Sequence, residues 1–178
     1  RFIADRATGE AAWSMLLYGP PGTGKTTIEE QLARQRDLAF ITVTPSHFVS
    51  GGRDKVEARA SQLFEALEHQ SGTIVLFDEI DRLLLDRSSD EYVSQDDMFQ
   101  FMTPSMLAKI NDLRRREQVV FAIATNYAWR IDSAILRPGR IDERYLILPP
   151  DRAARRQVLG ELADALWVGK DDVRPSDE

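Results

Sequence analysis

The sequence GPPGTGKTT, from Gly19 to Thr27, decides the fold. It satisfies the Walker A pattern G-x-x-x-x-G-K-[ST], and it follows an apolar run, residues 14–18, that is typical of a buried strand. Glycines allow a tight loop whose backbone N–H groups converge on phosphate, and the helix expected near Lys25 directs its positive dipole end at the same anion. The pattern therefore predicts a nucleoside triphosphate site between a strand and a helix.

Individual positions of this loop are expected to have separate roles. Lys25 should reach the β- and γ-phosphates, and the hydroxyl of Thr26 should ligate magnesium. A Gly/Pro turn without a ligand is the alternative, and the presence of every required residue at its offset argues against it. We predict that nine residues bind the nucleotide: Gly19, Pro20, Pro21, Gly22, Thr23, Gly24, Lys25, Thr26 and Thr27.

A second strand is expected to end in the magnesium carboxylate. Residues 73–77, TIVLF, form an unbroken β-prone run typical of a central parallel strand, and the acidic sequence DEID, residues 78–81, follows. Acids at the carboxyl end of such a strand face the nucleotide crevice. We expect Asp78 to hold magnesium through water, and Glu79 to orient and deprotonate the water that attacks the γ-phosphate. A solvated acidic turn is the alternative.

A third strand pattern ends in ATN, residues 124–126, and leads into DSAILRPGRID, residues 132–142. In RPGR a proline fixes φ and a glycine permits a tight reversal, so Arg137 and Arg140 are held on a short, stiff connection. Arginine offers planar, permanently charged donors that suit phosphate oxygens. The alternative role is a salt bridge with one of the neighbouring acids, Asp132, Asp142 or Glu143.

Together these four motifs strongly resemble those of the AAA ATPases, including the second region of homology that separates this group from other P-loop enzymes. The resemblance extends from about Trp13 to Pro150. It implies that Asn126 is a polar sensor that contacts the γ-phosphate and the attacking water, with a simple turn-forming role as the alternative. It also implies that Arg137 and Arg140 are arginine fingers that act in trans on ATP held by the next protomer.

Composition limits the function classes. The 178 residues suit one domain with a core, and no segment approaches 18 consecutive apolar residues, so we expect no membrane segment. A formal charge of -6 disfavours nucleic acid as a partner, although local patches could still bind it. The absence of cysteine excludes disulfides and thiolate metal sites and fits a cytoplasmic location. The start lacks Met and a signal peptide pattern, and it resembles the cut edge of a larger protein.

Strand and helix patterns alternate, which predicts an α/β fold. Its class is a three-layer P-loop NTPase with a five-stranded parallel sheet covered by helices, followed by a truncated helical lid. The predicted strands are 14–19, 39–44, 73–78, 119–125 and 144–149. The predicted helices are 25–36, 55–70 and 104–116, the last with Thr103 as N-cap and Pro104 in the first turn. Residues 86–97 are expected to form a mobile surface loop.

We divide the chain into an AAA ATPase large α/β subdomain, residues 1–150, and the start of a helical lid with a polar tail, residues 151–178. A final helix is expected from Arg152 to Trp167, with Asp151 as its cap. The sequence departs from the AAA pattern here, because only the first lid helix is present.

A second departure is Gly51-Gly52-Arg53-Asp54, which stands where threading members of the family carry an aromatic-hydrophobic-glycine pore loop. An aromatic side chain grips an extended peptide through its apolar area, and this segment has none. We therefore predict remodelling of a protein through surface contacts rather than threading. A solvated turn is the alternative role of this segment.

The resemblance implies Mg-dependent ATP hydrolysis by a homo-oligomeric ring, a hexamer, that couples turnover to remodelling of a protein client. ATP and Mg2+ are the expected cofactors. ATP/ADP and further copies of the chain are the expected partners, and the client is unidentified. Two alternatives remain: a nucleotide-gated assembly or binding module with incidental turnover, and a DNA-handling AAA+ loader or helicase. Glu79 and the paired arginines weigh against the first, and the charge of -6 weighs against the second.

Overall fold

A computed structural model of the chain describes residues 12–50, 52, 55–137 and 139–167. The strands are β1 Ser14–Tyr18, β2 Ala39–Val43, β3 Thr73–Asp78, β4 Val120–Thr125 and β5 Glu143–Leu146. The helices are α1 Lys25–Gln35, α2 Pro45–Val49, α3 Val56–Glu68, α4 Asp90–Ser94, α5 Asp97–Arg116 and α6 Arg152–Trp167. Short 3-10 helices cover Ile80–Leu83 and Ala128–Arg130.

The strands form one parallel sheet in the order β2-β3-β4-β1-β5. The predicted five-stranded parallel sheet is therefore confirmed. Its register pairs Asp78 with Ala124 and Tyr18 with Thr125. The carboxyl ends of β1, β3 and β4 consequently lie side by side, which brings the segments that follow these three strands to one edge of the sheet.

Apolar side chains cover both faces of the sheet, which explains why β3 and β4 are unbroken apolar runs. On one face, α3 and α5 pack against a large core in which Phe77 contacts the rings of Phe64 and Phe121. On the other face, α1 contributes Ala33 to a smaller cluster with Leu17 of β1 and other strand residues. This packing holds α1 against the sheet.

The helix predicted at 104–116 begins seven residues earlier, so the prediction of Thr103 as its N-cap is wrong. α5 begins at Asp97, and the carboxylate of Asp96 caps it by accepting the Met98 N–H at 3.0 Å. Proline inside a helix leaves the carbonyl four residues before it without an N–H donor. Here that carbonyl belongs to Gln100, and it accepts the Tyr92 hydroxyl at 2.9 Å. A side-chain hydrogen bond from the preceding helix, α4, thus accommodates Pro104.

The prediction of an irregular loop over 86–97 is also wrong in part, because α4 lies within it and Ser89 caps that helix by accepting the Tyr92 N–H at 3.2 Å. The final helix has the predicted bounds. Asp151 accepts the Ala154 N–H at 2.8 Å, as expected of an N-cap.

The chain separates into two compact units, Arg1–Ile147 and Leu148–Glu178, and α6 is the helix of the second unit. Among the described helices, none combines the length and apolar character needed to cross a membrane. Several sequence predictions fall outside the described residues: those on Gly51, Arg53 and Asp54, on Pro138, and on both chain ends, 1–11 and 168–178.

Candidate nucleotide site

The loop between β1 and α1 needs its glycines for two different reasons. A Cβ at Gly19 would collide with the carbonyl oxygen of Ile147, which follows β5. Gly24 has φ 87 and precedes Lys25 as the N-cap of α1, a left-handed conformation that side chains disfavour. The loop therefore lies tightly against the sheet edge, and the N-terminus of an 11-residue helix opens onto it.

Lys25 lies at the centre of this loop and is only 8% exposed. Its ammonium donates to the carbonyl oxygens of Gly19 and Pro20, both at 2.9 Å, and to the side-chain oxygen of Asn126 at 2.7 Å. The last contact joins residues 101 positions apart. The lysine predicted to bind phosphate and the asparagine predicted to sense it are thus in direct contact.

The two residues predicted to hold magnesium also meet. The Thr26 hydroxyl donates to a carboxylate oxygen of Asp78 at 3.0 Å, from the start of α1 to the end of β3. A hydroxyl and one carboxylate are the hard oxygen ligands that Mg2+ takes together with water and phosphate oxygens, so this pair fits the ion. Among the described residues, no group of three or more His, Cys, Asp or Glu side chains is placed to hold a metal ion.

Glu79 lies beside this pair and has an unusual backbone. Its φ is 58, in the left-handed region that is uncommon for residues other than glycine, and the Ile80–Leu83 3-10 helix begins directly after it. Such strain at a functional position is characteristic of active sites. The side chain is exposed and helps to line a cavity of about 410 Å3.

This cavity collects most of the predicted nucleotide and catalytic residues. Its lining comprises Pro21, Gly22, Thr23, Gly24, Lys25, Thr26, Thr27, Asp78, Glu79, Asp81, Ala124, Thr125 and Asn126. Its walls therefore come from the Walker A loop, from the acidic end of β3 and from the end of β4. Backbone N–H groups, a cation and paired carboxylates in one cleft can bind a polyphosphate and activate a water beside it.

Asp81 is a cavity residue to which the sequence analysis gave no role. Burial raises the pKa of its carboxyl, while a hydrogen bond with Thr125 and the charge of Arg130 oppose that rise. One carboxylate oxygen has no hydrogen-bond partner among the described residues.

Arg137 and Arg140 are not part of this cavity. Within residues 12–50, 52, 55–137 and 139–167, neither arginine forms an ion pair. Two of the acids proposed as alternative partners are engaged elsewhere: Asp132 by Arg87 and Asp142 by Arg114, each at 2.7 Å. The structure therefore brings together the other predicted site residues and leaves these two cations outside.

Comparisons with known proteins agree with this geometry. The family model described as "ATPase family associated with various cellular activities (AAA)" matches residues 15–148. An "ATP-dependent zinc metalloprotease FtsH" of Heterosigma akashiwo is 35% identical over 159 residues, covering 89% of this chain and 24% of the relative. A "Cell division cycle protein 48 homolog" of Archaeoglobus fulgidus is 34% identical over 145 residues, covering 82% of this chain and 19% of the relative.

A further "ATP-dependent zinc metalloprotease FtsH", of Mycobacterium tuberculosis, is 35% identical over 145 residues, covering 82% of this chain and 19% of the relative. The chain thus spans a quarter or less of the length of these curated relatives. The similarity concerns the segment that holds the cavity.

Proposed function

The chain belongs to the AAA family of ATPases, and from that membership we propose that it hydrolyses Mg-ATP within a homo-oligomeric ring and couples turnover to remodelling of a protein client. The observation that carries the proposal is the pair of contacts at the cavity. Lys25 contacts Asn126, and Thr26 contacts Asp78, so the start of α1 meets the ends of β3 and β4.

In the proposed mechanism, the Walker A backbone and Lys25 hold the β- and γ-phosphates. Thr26 and, through water, Asp78 would hold a magnesium ion, which would neutralise charge on the phosphate oxygens. Glu79 accepts a proton from the water that attacks the γ-phosphate, and Asn126 orients that water.

Two observations about arginine residues support the proposal of a ring. No arginine lines the described cavity, and Arg137 and Arg140 have no ion-pair partner among the described residues. Transfer of a phosphoryl group is accelerated strongly by an arginine supplied from outside the nucleotide's own protomer. We infer that these two residues complete the cavity of the next protomer, in a closed ring of six.

The client is proposed to be a protein, in line with the protease and cell-division names of the relatives. We propose surface contact rather than threading, because Gly51-Gly52-Arg53-Asp54 carries no aromatic residue. In this proposal Arg53 and Lys55 contact an acidic client.

Two variants and one control test the hydrolytic site. Glu79→Gln should keep ATP binding and lower turnover about 100-fold, because it removes the base but leaves the phosphate contacts. Lys25→Ala should weaken binding itself. Glu65→Gln, the same change at an exposed position on α3, should alter neither quantity. Nucleotide affinity by titration and phosphate release at saturating ATP measure the two effects; near-normal turnover by Glu79→Gln would contradict the assignment.

A further inference from the structure

The turn that leads to Arg137 and Arg140 begins at a buried carboxylate. Asp132 is 3% exposed. One of its oxygens accepts the Ala134 N–H at 2.8 Å, and the other contacts Nε of Arg87 at 2.7 Å. Its carbonyl accepts the Ile135 N–H at 3.0 Å. Asp132 therefore shapes the turn with one carboxylate oxygen while Arg87 holds the other.

Backbone contacts join the same turn to the segment that follows Glu79. Leu85 and Ile131 form an antiparallel bridge. The Asp132 N–H donates to the Leu84 carbonyl at 2.7 Å, and the Asp86 N–H donates to the Arg130 carbonyl at 2.8 Å. The segment after Glu79, the predicted base, and the segment after Asn126, the predicted sensor, therefore run side by side. They do so before the start of the turn that carries Arg137 and Arg140, which we call the finger turn.

The far end of the finger turn is anchored independently. The Arg140 carbonyl accepts the Ser14 hydroxyl at 2.9 Å, and Asp142 forms an ion pair with Arg114. The side chains of Arg137 and Arg140 therefore project from a segment that is fixed at both ends. At the first end, the ion pair between Arg87 and Asp132 links the turn to the segment that follows Glu79.

We propose that Arg87 is a positioning residue for the arginine fingers, and that its ion pair with Asp132 sets the turn carrying Arg137 and Arg140 relative to the protomer's own catalytic segment. The proposal rests on the trans role of the fingers. Loss of Arg87 leaves a buried carboxylate unpaired, which is strongly unfavourable, so Asp132 must reorient. That change disturbs its hydrogen bond with Ala134 and hence the start of the turn.

Arg87 is well suited to a selective test, since it does not line the nucleotide cavity and its side chain is 49% exposed. The full-length protein is used throughout. Arg87→Ala should bind ATP within about twofold of the wild type and turn it over about 100-fold more slowly, as expected when a catalytic group is misplaced by an ångström or so. Arg116→Ala is the matched control: Arg116 is 52% exposed and pairs with Glu68 at 2.8 Å on the α3 and α5 side.

Mixing experiments separate a misplaced finger from a damaged pocket. Lys25→Ala protomers supply fingers but no working pocket, so mixtures with Arg87→Ala should recover turnover at shared interfaces. Mixtures of Arg87→Ala with Arg140→Ala should recover none, because both partners lack a working finger. The opposite pattern, rescue by Arg140→Ala and none by Lys25→Ala, would place the defect in the pocket and overturn the proposal.

A benchmark mixture distinguishes this proposal from the function it rests on. Arg140→Ala with Lys25→Ala should recover turnover in mixtures shown to co-assemble, and failure there would contradict the trans role itself. Recovery in the benchmark without recovery for Arg87→Ala with Lys25→Ala would overturn only the positioning role. If Arg87→Ala does not fold, Arg87→Gln in the same mixtures gives the same decision.

Discussion

The nucleotide cavity and the finger segment, residues 132–142, differ in how their functional side chains are paired. In the cavity, functional side chains contact each other: Lys25 contacts Asn126, and Thr26 contacts Asp78. In the finger segment, the acids are paired, and among the described residues the two cations predicted to be functional are not. The first region is defined by contacts within the protomer, whereas the proposed role of the second requires a contact from Arg137 and Arg140 to another protomer.

The largest effect should come from the finger segment. Arg140→Ala and Arg137→Ala should each retain ATP binding and lower turnover about 1000-fold, the loss typical of an arginine finger. Arg144→Ala, an exposed arginine on β5, is the control and should leave turnover near normal. Turnover at saturating ATP measures the effect. If the finger variants bound ATP poorly instead, the arginines would belong to the cavity and the contrast between the two regions would disappear.

A buried acid in α1 extends the comparison to folding stability. Glu29 lies one turn after Lys25 in α1, is 1% exposed, and has a carboxylate oxygen without a hydrogen-bond partner among the described residues. Burial raises its pKa from 4.5 to about 7. The folded chain therefore holds this proton more tightly than the unfolded chain, so stability is lost as pH rises from about 4.5 through about 7.

Glu29→Gln should remove that loss, making the variant more stable than the wild type by as much as about 3 kcal/mol at pH 8 and by little at pH 5. Chemical unfolding at the two pH values measures the difference. Glu30→Gln, a change at the neighbouring half-buried residue whose carboxylate pairs with Arg34, keeps Glu29 and should therefore lose stability with rising pH as the wild type does. An equal pH dependence for the wild type and Glu29→Gln would mean that Glu29 has a partner in solution.

Within the cavity, Asn126→Ala should lower turnover about 100-fold with ATP affinity changed only slightly, because one preorganised polar contact to the transition state is lost. Asn111→Ala, on α5, is the control. Parallel measurements of affinity and turnover decide the assignment. A large loss of affinity with normal turnover would make Asn126 a ground-state contact of the phosphates rather than a sensor of hydrolysis.

The smallest effect concerns an anchor of the finger segment. Ser14→Ala removes the buried hydroxyl that donates to the Arg140 carbonyl, and it should lower the free energy of unfolding by about 1 kcal/mol. Turnover should change less than twofold, since Asp142 still holds the segment through Arg114. Ser133→Ala, an exposed position in the same segment, should change neither quantity. A large loss of turnover would show that this hydroxyl, rather than the ion pair between Asp142 and Arg114, positions the fingers.

Local signals predicted the sheet and the cavity because both depend on short motifs at the ends of parallel strands. The Walker A loop and DEID each carry their information within about ten residues, and parallel strands bring such ends together. Signals that depend on distant partners were missed. Pro104 resembled the first residue of a helix. Its neighbours in sequence do not reveal that the Tyr92 hydroxyl donates to the Gln100 carbonyl, which the proline leaves without an N–H donor inside α5.

The ion pair between Arg87 and Asp132 was missed for the same reason, because it joins residues 45 positions apart. From the sequence, Asp132 is expected to pair only with Arg137 or Arg140. Proximity in sequence favoured that pairing, whereas the turn at Asp132 and the bridge between Leu85 and Ile131 bring Arg87 closer. Charge pairing within a folded segment follows topology more than spacing.

The left-handed backbone of Glu79 places folding and chemistry in conflict at a single position. A glycine there would adopt φ 58 without the steric penalty of about 1 kcal/mol that a larger residue carries. Selection for a stable domain alone would therefore favour glycine at this position, and that substitution would remove the carboxylate. A lineage that no longer needed turnover would gain stability by losing its base, and it would become a nucleotide-holding relative with the same fold.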